Sequence, residues 1–322
     1  MTVHTPARGS RVPTVLVVGD INPDLILDGD VVPRFGQIEQ VLSGAAQVIG
    51  GSASIAANGL ARLGIATAVN GIVGDDERGR FMVDELRRSG VDVDQIAVDC
   101  DHPTGISVIL NSVNDRAILT MPGTIPLLDA RDVIGAVDAL HPDHVHFASF
   151  FLLPGLAKGL SVLLDSLRAR GITTSLDTNW DPAEDWDGLA DVVPRLDYLF
   201  PNVEELRAIS RRLLAPLDRD DVDAAIALAS LGPTVVVKAG PDGGWSVTPR
   251  GDVATAAGLP VRVADTAGAG DSFDAGYLAA VFSGIDDERV RVRWAAVAGS
   301  LSARGIGGTH SQPTREELLG RL

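Results

Sequence analysis

A glycine-rich turn followed by a carboxylate is the part of this sequence best suited to chemistry: "DTAGAGDSFDAG" covers residues 265–276. Gly268, Ala269 and Gly270 come where an apolar helical pattern begins. The first turn of a helix has unpaired N–H groups and the positive end of the helix dipole, so this turn is suited to binding an anion. Asp271 follows at once, where a carboxylate can accept a proton from a hydroxyl that attacks a phosphoryl group. The alternative is that Asp271 only caps the helix.

The elements that must position this turn indicate an α/β fold. Apolar, strand-like runs alternate with helical patterns along most of the chain; the runs lie at 14–20, 66–74, 144–149, 173–179 and 234–240. Strands separated by about 10 to 15 helical residues imply right-handed crossovers and a doubly wound, mostly parallel sheet flanked by helices. Ligands of such sheets bind at the carboxyl ends of the strands. Residues 258–264, just before the glycine turn, are also predicted to form a strand.

Two segments, 24–48 and 104–121, have a different pattern, in which apolar and polar residues alternate and Gly, Pro and Asp interrupt the alternation. Such patterns are typical of short strands with one face in water, and "NDR" (114–116) predicts a hairpin turn. We expect the two segments to pair into a small β-sheet lid. The predicted organisation is a disordered tail at 1–12 and one domain at 13–322 that includes the lid strands.

Composition and charge exclude several classes of function. The 322 residues carry a net charge of −16, which opposes binding to nucleic acid or to anionic membranes. Aromatic residues make up only 4%, so the core must consist of Ala, Val, Leu and Ile, as in layered α/β proteins. The single cysteine, Cys100, excludes an intramolecular disulfide and a cysteine-based zinc cluster. With neither a signal-peptide pattern nor a long apolar run, we expect a soluble, cytoplasmic protein.

Several motifs together resemble one known family, the ribokinase-like (PfkB) carbohydrate kinases. The glycine turn resembles the C-terminal motif of that family. Five other segments support the resemblance over 14–318: "VVGDINPDLIL" (17–27), "GGSASIAANGLARLG" (50–64), "PNVEE" (201–205), "VVVKAGPDGG" (235–244) and "GGTHSQPTREEL" (307–318). The resemblance implies a ribokinase-like fold with a small β lid. It also implies ATP-dependent phosphorylation of a sugar hydroxyl with Mg²⁺, often stimulated by K⁺.

The resemblance implies roles for individual residues. Asp271 would be the base, and the N–H groups of residues 268–270 would stabilise charge on the transferred phosphoryl group. The sugar would contact Asn22, Asp24, Gly50, Gly51 and Ser107. The nucleotide and Mg²⁺ would lie near Asn202, Glu205, Lys238, Gly240 and Gly243, with Glu205 acting on Mg²⁺ through water. K⁺ would lie near Asp265, Ala267 and Ser311.

Three of these residues also have purely structural interpretations. Asp24 could be a turn residue after Pro23, and Glu205 could be an ordinary exposed residue of a helix. Lys238 could extend its ammonium group to solvent, because the family more often has a small or hydroxyl residue at that position.

Two departures from the family pattern concern the substrate. Ile55 stands where many members have a substrate-binding Asn, and Asp181 stands where many have Arg. A free hexose or pentose is favoured over a sugar phosphate, because only Arg34 and Arg116 are evident cations in the lid segments.

Other functions and an oligomer remain open. A nucleoside kinase is the nearest alternative, with Phe35 and Ile55 as an apolar pocket for the base. A catalytically silent relative that binds a sugar or nucleotide is a second alternative. Pairing of the half-exposed lid strands across a two-fold axis would produce a homodimer.

Overall fold

The computed structural model describes residues 14–111, 116–214 and 220–322. The strands are β1 (Thr14–Val18), β2 (Asn22–Gly29), β3 (Leu42–Gly50), β4 (Ala66–Gly74), β5 (Ile96–Asp99), β6 (Ile106–Asn111), β7 (Arg116–Met121), β8 (His144–Ala148), β9 (Thr173–Asp177), β10 (Tyr198–Leu199), β11 (Thr234–Lys238), β12 (Gly244–Val247) and β13 (Val253–Ala256). The helices are α1 (Ser52–Arg62), α2 (Glu77–Arg88), α3 (Ala130–Leu140), α4 (Pro154–Ala169), α5 (Val203–Leu213), α6 (Asp221–Ala229), α7 (Ala269–Phe282), α8 (Glu288–Ser302) and α9 (Arg315–Leu319).

The strands form one large and one small sheet. The nine-stranded sheet has the order β13-β12-β11-β10-β9-β8-β1-β4-β5, and its strands are parallel from β11 through β5. Only β12 and β13 join it antiparallel. The four-stranded sheet has the order β3-β2-β6-β7, in which β2 and β6 are parallel and the outer pairs are antiparallel. The predicted doubly wound sheet and the predicted small sheet are both confirmed.

Alternation along the central strand β1 explains why helices cover both faces of the large sheet. Val15 and Val17 pack in the core that contains α1, α7 and α8, whereas Leu16 and Val18 pack in the core that contains α3 and α4. Successive side chains of a strand point to opposite faces, so a continuous apolar run such as "VLVV" is buried from both sides. The carboxyl ends of β1, β8, β9 and β11 therefore meet at one edge, which the helix N-termini of α1 and α7 also approach.

The prediction of a strand at 258–264 is wrong. This segment pairs with no strand among the described residues, and its backbone bonds to the end of α8 instead. The N–H of Leu259 donates to Oγ of Ser300 (2.9 Å), and the N–H of Ala264 donates to the carbonyl of Ala303 (2.8 Å). Within the segment Leu259 packs against the core that contains α8, whereas Val263 is 56% exposed.

Two predictions fall on residues outside the described ranges. The disordered tail at 1–12 lies before the first described residue, and the hairpin turn "NDR" begins within 112–115; its last residue, Arg116, starts β7. Across the described ranges, no helix is long and apolar enough to cross a membrane.

Candidate functional site

The glycine turn forms the N-terminus of α7. Gly268 is the N-cap residue with a left-handed backbone (φ 67°), and a Cβ there would lie 2.6 Å from Cα of Gly308. Glycine is required at this position on both counts. Within the described residues no side chain caps this helix end; the buried Asp271 carboxylate accepts a hydrogen bond from the Ser52 hydroxyl instead. The interpretation of Asp271 as a helix cap is wrong.

Strand β2 carries Asn22 and Asp24 and places them beside Ser107 of the neighbouring strand β6. Nδ2 of Asn22 donates to Oδ1 of Asp24 (3.4 Å) and to Oγ of Ser107 (3.2 Å). A Cβ on Gly50 would lie 1.9 Å from Oδ1 of Asp24, so only glycine allows the Asp24 carboxylate to lie against this backbone. Asp24 is a buried residue of β2, and its interpretation as a turn residue is wrong.

The second glycine of the pair, Gly51, precedes α1, whose N-terminus is held by a residue that the sequence analysis did not identify. The Asp20 carboxylate, directly after β1, accepts the N–H groups of Ser52 (3.1 Å) and Ala53 (3.0 Å). A carboxylate at this position satisfies donors that would otherwise be unpaired and complements the helix dipole. The Asp20 bonds therefore fix the start of α1, including Ser52, next to Asp271.

Lys238 is buried in an ion-pair network and does not extend to solvent. Its Nζ lies 2.6 Å from Oδ2 of Asp177 and 3.3 Å from Oδ2 of Asp274, and its side chain is 10% exposed. Burial alone would lower the pKa of Lys238, but the charges of the two carboxylates outweigh burial and raise it. A Cβ on Gly270 would lie 3.4 Å from Cδ of Lys238, so this cation lies against the glycine turn. The snorkelling interpretation is wrong.

Glu205 and Asn202 form the start of α5. Oε2 of Glu205 accepts the N–H of Asn202 (2.8 Å), and Oδ1 of Asn202 accepts the N–H of Glu205 (2.9 Å), which is a reciprocal capping box. Glu205 is only 4% exposed, so its interpretation as an ordinary exposed residue is wrong. Burial, and then the charge of Asp177, raises the pKa of Glu205 to about 7. This pair lies beside the end of β11, where the N–H of Lys238 donates to the carbonyl of Pro201 (3.0 Å).

The remaining two glycines of the predicted nucleotide side form a tight turn after β11. The N–H of Gly243 donates to the carbonyl of Gly240 (3.1 Å), and the N–H of Ala239 donates to the carbonyl of Gly243 (2.9 Å). The turn is therefore fixed at the same sheet edge as Lys238.

The residues predicted near K⁺ occupy the turn before α7 and the loop after α8. Oδ1 of Asp265 accepts the N–H of Ala267 (2.9 Å), and Oδ2 accepts the N–H of Gly307 (2.9 Å). Ser311 lies in the same loop as Gly307. A guanidinium nitrogen of Arg116, from β7, lies 3.6 Å from Oδ1 of Asp265. Asp265 thus joins the small sheet, the glycine turn and the 303–311 loop.

Burial and mutual repulsion make two carboxyl groups of the site weakly acidic. Burial, and then the charges of Asp20 and Asp271, raises the pKa of Asp24 to about 7. Burial, and then the charge of Asp177, raises the pKa of Asp271 to about 7. A carboxylate with a pKa near neutral pH is well suited to accept a proton.

The two departures from the family pattern have structural explanations. Ile55 is 4% exposed and packs against Gly268 and Gly308, beneath the glycine turn. Asp181 accepts the N–H groups of Ala183 (2.9 Å) and Trp186 (2.7 Å), so its carboxylate organises its own loop.

The sequence analysis did not identify five polar residues of the site: Asp20, Ser52, Asp177, Asn179 and Asp274. Asp20 and Asp177 stand at the carboxyl ends of β1 and β9, and the rule that ligands bind at such ends could have identified both. Asp274 lies one turn after Asp271 in the same motif. Asn179 lies two residues after β9, so the same rule applies to it, and Ser52 follows Gly51 within the glycine motif at 50–64.

The family description "pfkB family carbohydrate kinase" matches residues 12–315. The chain belongs to the pfkB family of carbohydrate kinases. An ATP-dependent ribose-1-phosphate kinase of Halopiger xanaduensis is 30% identical to this kinase, over 96% of this chain and 97% of the relative. An uncharacterized sugar kinase of Archaeoglobus fulgidus is 32% identical, over 71% of this chain and 88% of the relative.

A solved structure has the same fold. Arabidopsis thaliana ribokinase, complexed with ribose and ATP, superposes on this kinase with a TM-score of 0.81 at 23% identity, over 96% of this chain and 98% of that one. The ribokinase-like fold predicted from the motifs is confirmed, and the chain is an ATP-dependent sugar kinase by family.

The buried position of Lys238 leads to a stability prediction. Lys238→Met would leave the Asp177 carboxylate buried without its cation, and we expect the free energy of unfolding to fall by about 3–5 kcal/mol in urea titrations. The exposed Lys158, on α4, offers a matched control, and Lys158→Met should change stability by less than about 0.5 kcal/mol. Adding Asp177→Asn to Lys238→Met should restore part of the loss. Equal effects of the two single lysine variants would contradict the buried network.

Proposed function

We propose that this kinase transfers the terminal phosphoryl group of ATP to a hydroxyl of a free sugar or sugar-like compound. One observation carries the proposal: a buried carboxylate with a raised pKa, Asp271, lies in the first turn of a helix that no side chain of the described residues caps. The pair of Asn22 and Asp24 supplies acceptors and donors for sugar hydroxyls near this turn.

The proposed chemistry divides among three sets of groups. Asp271 accepts the proton of the attacking hydroxyl, which makes that oxygen a better nucleophile. The N–H groups of residues 268–270 bind the oxygens of the transferred phosphoryl group, where negative charge accumulates. Asn22, Asp24 and Ser107 orient the sugar by hydrogen bonds, and the backbone of Gly50 and Gly51 leaves room for it. Lys238 adds positive charge beneath the turn.

The nucleotide and its cations have proposed partners on the other side of the turn. Gly240 and Gly243 would border ATP, and Asn202 and Glu205 would organise its phosphates. Among the described residues, no group of three or more His, Cys, Asp or Glu side chains is arranged to hold a metal ion. Mg²⁺ keeps most of its waters and is commonly held by one or two carboxylates with phosphates, so Glu205 fits a contact through water. When bound, Mg²⁺ neutralises charge on the phosphates.

K⁺ is proposed at the turn before α7. Asp265 supplies a carboxylate, and Ala267 and Ser311 supply further oxygen atoms in the segments that Asp265 connects. A cation there would act on the glycine turn indirectly, by fixing its backbone.

The charges of the site favour a neutral substrate. Asp20, Asp24 and Asp271 form an acidic lining that would repel a second phosphate and accept hydrogen bonds from hydroxyls. Both cations of the lid segments face carboxylates: Arg34 contacts Asp30, and Arg116 contacts Asp265. We therefore favour a free hexose or pentose over a sugar phosphate such as the substrate that names the Halopiger relative.

A nucleoside kinase has weaker support. Phe35, one of the two residues considered for a base pocket, is 95% exposed, whereas Ile55 is buried against the glycine turn. A catalytically silent protein that only binds a sugar or nucleotide is also disfavoured, because Asp271 and the glycine turn at 268–270 are both present.

The role of Asp271 leads to a prediction for activity. Asp271→Asn keeps the shape of the side chain but cannot accept the proton, and we expect kcat to fall by about 10²–10⁴. The measurement is ATP consumption with Mg²⁺ and K⁺ against free sugars, polyols, sugar acids, sugar phosphates and nucleosides. Asp252→Asn, on an exposed turn, is the control and should retain activity. Undiminished turnover by Asp271→Asn would exclude Asp271 as the base, and turnover of sugar phosphates alone would exclude the proposed substrate class.

We also propose that the small sheet is a lid and that it pairs with a second copy of the chain. Its edge strand β7 exposes apolar side chains: Ile118 is 53% exposed and Leu119 is 59% exposed. Uncovered apolar strands of this kind are commonly interfaces.

The proposed dimer predicts a mass of twice 33.6 kDa in light scattering at micromolar concentration. Because a charge in such an interface would be unpaired, Leu119→Asp should shift the protein towards the monomer mass. A monomer mass for the unmodified protein would contradict the dimer.

A further inference from the structure

Three residues connect Asp271 to the end of β8 by hydrogen bonds. The N–H of Ser149 donates to Oδ1 of Asn179 (2.8 Å), Nδ2 of Asn179 lies 3.1 Å from Oγ of Ser52, and Oγ of Ser52 contacts Oδ1 of Asp271. The four residues come from four different elements or loops, and the contacts meet at the carboxyl ends of β8 and β9.

The direction of each hydrogen bond is fixed by the chemistry of the groups. A backbone N–H can only donate, so the atom of Asn179 that faces Ser149 must be the amide oxygen. The NH₂ group of Asn179 therefore faces Ser52 and donates to its hydroxyl oxygen. The hydroxyl has one hydrogen, and the remaining partner, the ionised carboxylate of Asp271, can only accept it.

The hydrogen bond from Ser52 distinguishes the two oxygens of the Asp271 carboxylate. Oδ1 of Asp271 accepts the Ser52 hydroxyl, and Oδ2 has no hydrogen-bond partner among the described residues, so Oδ2 is better placed to accept a proton from a substrate hydroxyl. A hydrogen bond that is donated to the ionised form also favours that form, so the Ser52 hydroxyl opposes the effect of burial on the pKa of Asp271.

The backbone and the surrounding charges support a constrained arrangement. Ser149 (φ 58°) and Asn179 (φ 54°) both have left-handed backbones, which non-glycine residues adopt mainly where the surroundings hold them.

Besides Ser52, the groups that act on the Asp271 carboxyl are Asp177, Lys238 and Asp20, and the charge of Asp271 acts in turn on Asp24 and Asp274. Four of these five groups are carboxyls, so Ser52 and Lys238 are the neighbours that favour the ionised base.

We propose that Ser52 and Asn179 are positioning residues that orient the Asp271 carboxylate and keep Oδ2 available as the base. This proposal rests on the proposed function of Asp271. In this proposal Ser52 and Asn179 affect proton transfer through Asp271 and not through contact with the substrate.

The test compares two buried serines at the start of α1. Ser52→Ala removes the hydrogen bond to Asp271, whereas Ser54→Ala removes a hydroxyl that donates to the carbonyl of Asp20 (3.2 Å) and is the control. The pKa of Asp271 is measured by NMR of ¹³C-labelled aspartate carboxyls, with the signal assigned by its loss in Asp271→Asn. The pH dependence of kcat/KM is measured on the same proteins.

We expect Ser52→Ala to raise the pKa of Asp271 by about one unit, since a hydrogen bond to a charged group contributes about 1.5 kcal/mol. The acidic limb of the kcat/KM profile should move upward in pH by the same amount. Asn179→Ala, a variant in a different segment, should give a smaller shift in the same direction, and Ser52→Thr, which keeps the hydroxyl, should restore the original profile. Ser54→Ala should shift neither measurement.

The two measurements separate the proposal from the function on which it rests. An unchanged NMR pKa of Asp271 in both folded Ser52→Ala and folded Asn179→Ala would overturn the positioning role and leave Asp271 as the base. A shifted NMR pKa with an unchanged pH profile would support the hydrogen-bond chain and overturn Asp271 as the base.

Discussion

Burial of several carboxyl groups at one edge of a parallel sheet is the constraint on which this structure depends. Asp24, Asp271 and Glu205 all have pKa values raised to about 7, and burial is the largest cause for each. One buried cation, Lys238, offsets part of this cost through Asp177 and Asp274. Asp24, Glu205 and Asp271 each accept a hydrogen bond, yet burial still raises their pKa values, and a base that ionises near neutral pH suits phosphoryl transfer.

The parallel topology places these buried carboxyl groups next to backbone N–H groups. Strand ends and helix N-termini alternate along such an edge, so acidic side chains that follow strands meet unpaired N–H groups that begin helices. Asp20 after β1 binds the start of α1, and Asn202 after β10 caps α5 together with Glu205. At α7 no side chain of the described residues caps the helix, and we propose that its first N–H groups bind the transferred phosphoryl group.

Local patterns predicted much of the fold and the family motifs, but not the contacts between them. The run "ATAVNGIVG" coincides with β4 (Ala66–Gly74), because a strand buried on both faces is mostly apolar. The same reasoning failed at 258–264, where the backbone bonds to the end of α8 and pairs with no strand among the described residues. Asp24 and Glu205 were predicted from motifs, yet their burial could be learned only from the structure. Ser52 lies 219 residues from Asp271 and 127 from Asn179 in sequence, so no local pattern could link them.

We propose above all that the N-terminal turn of α7 and Asp271 act together on one phosphoryl transfer. The most direct test is a crystal structure of the kinase with its sugar substrate and a non-hydrolysable ATP analogue. The account predicts that a sugar hydroxyl lies within hydrogen-bond distance of Oδ2 of Asp271, with the terminal phosphate of the analogue at the N–H groups of residues 268–270. A sugar whose hydroxyls all lie beyond hydrogen-bond distance of Asp271, or a terminal phosphate bound away from this turn, would contradict it.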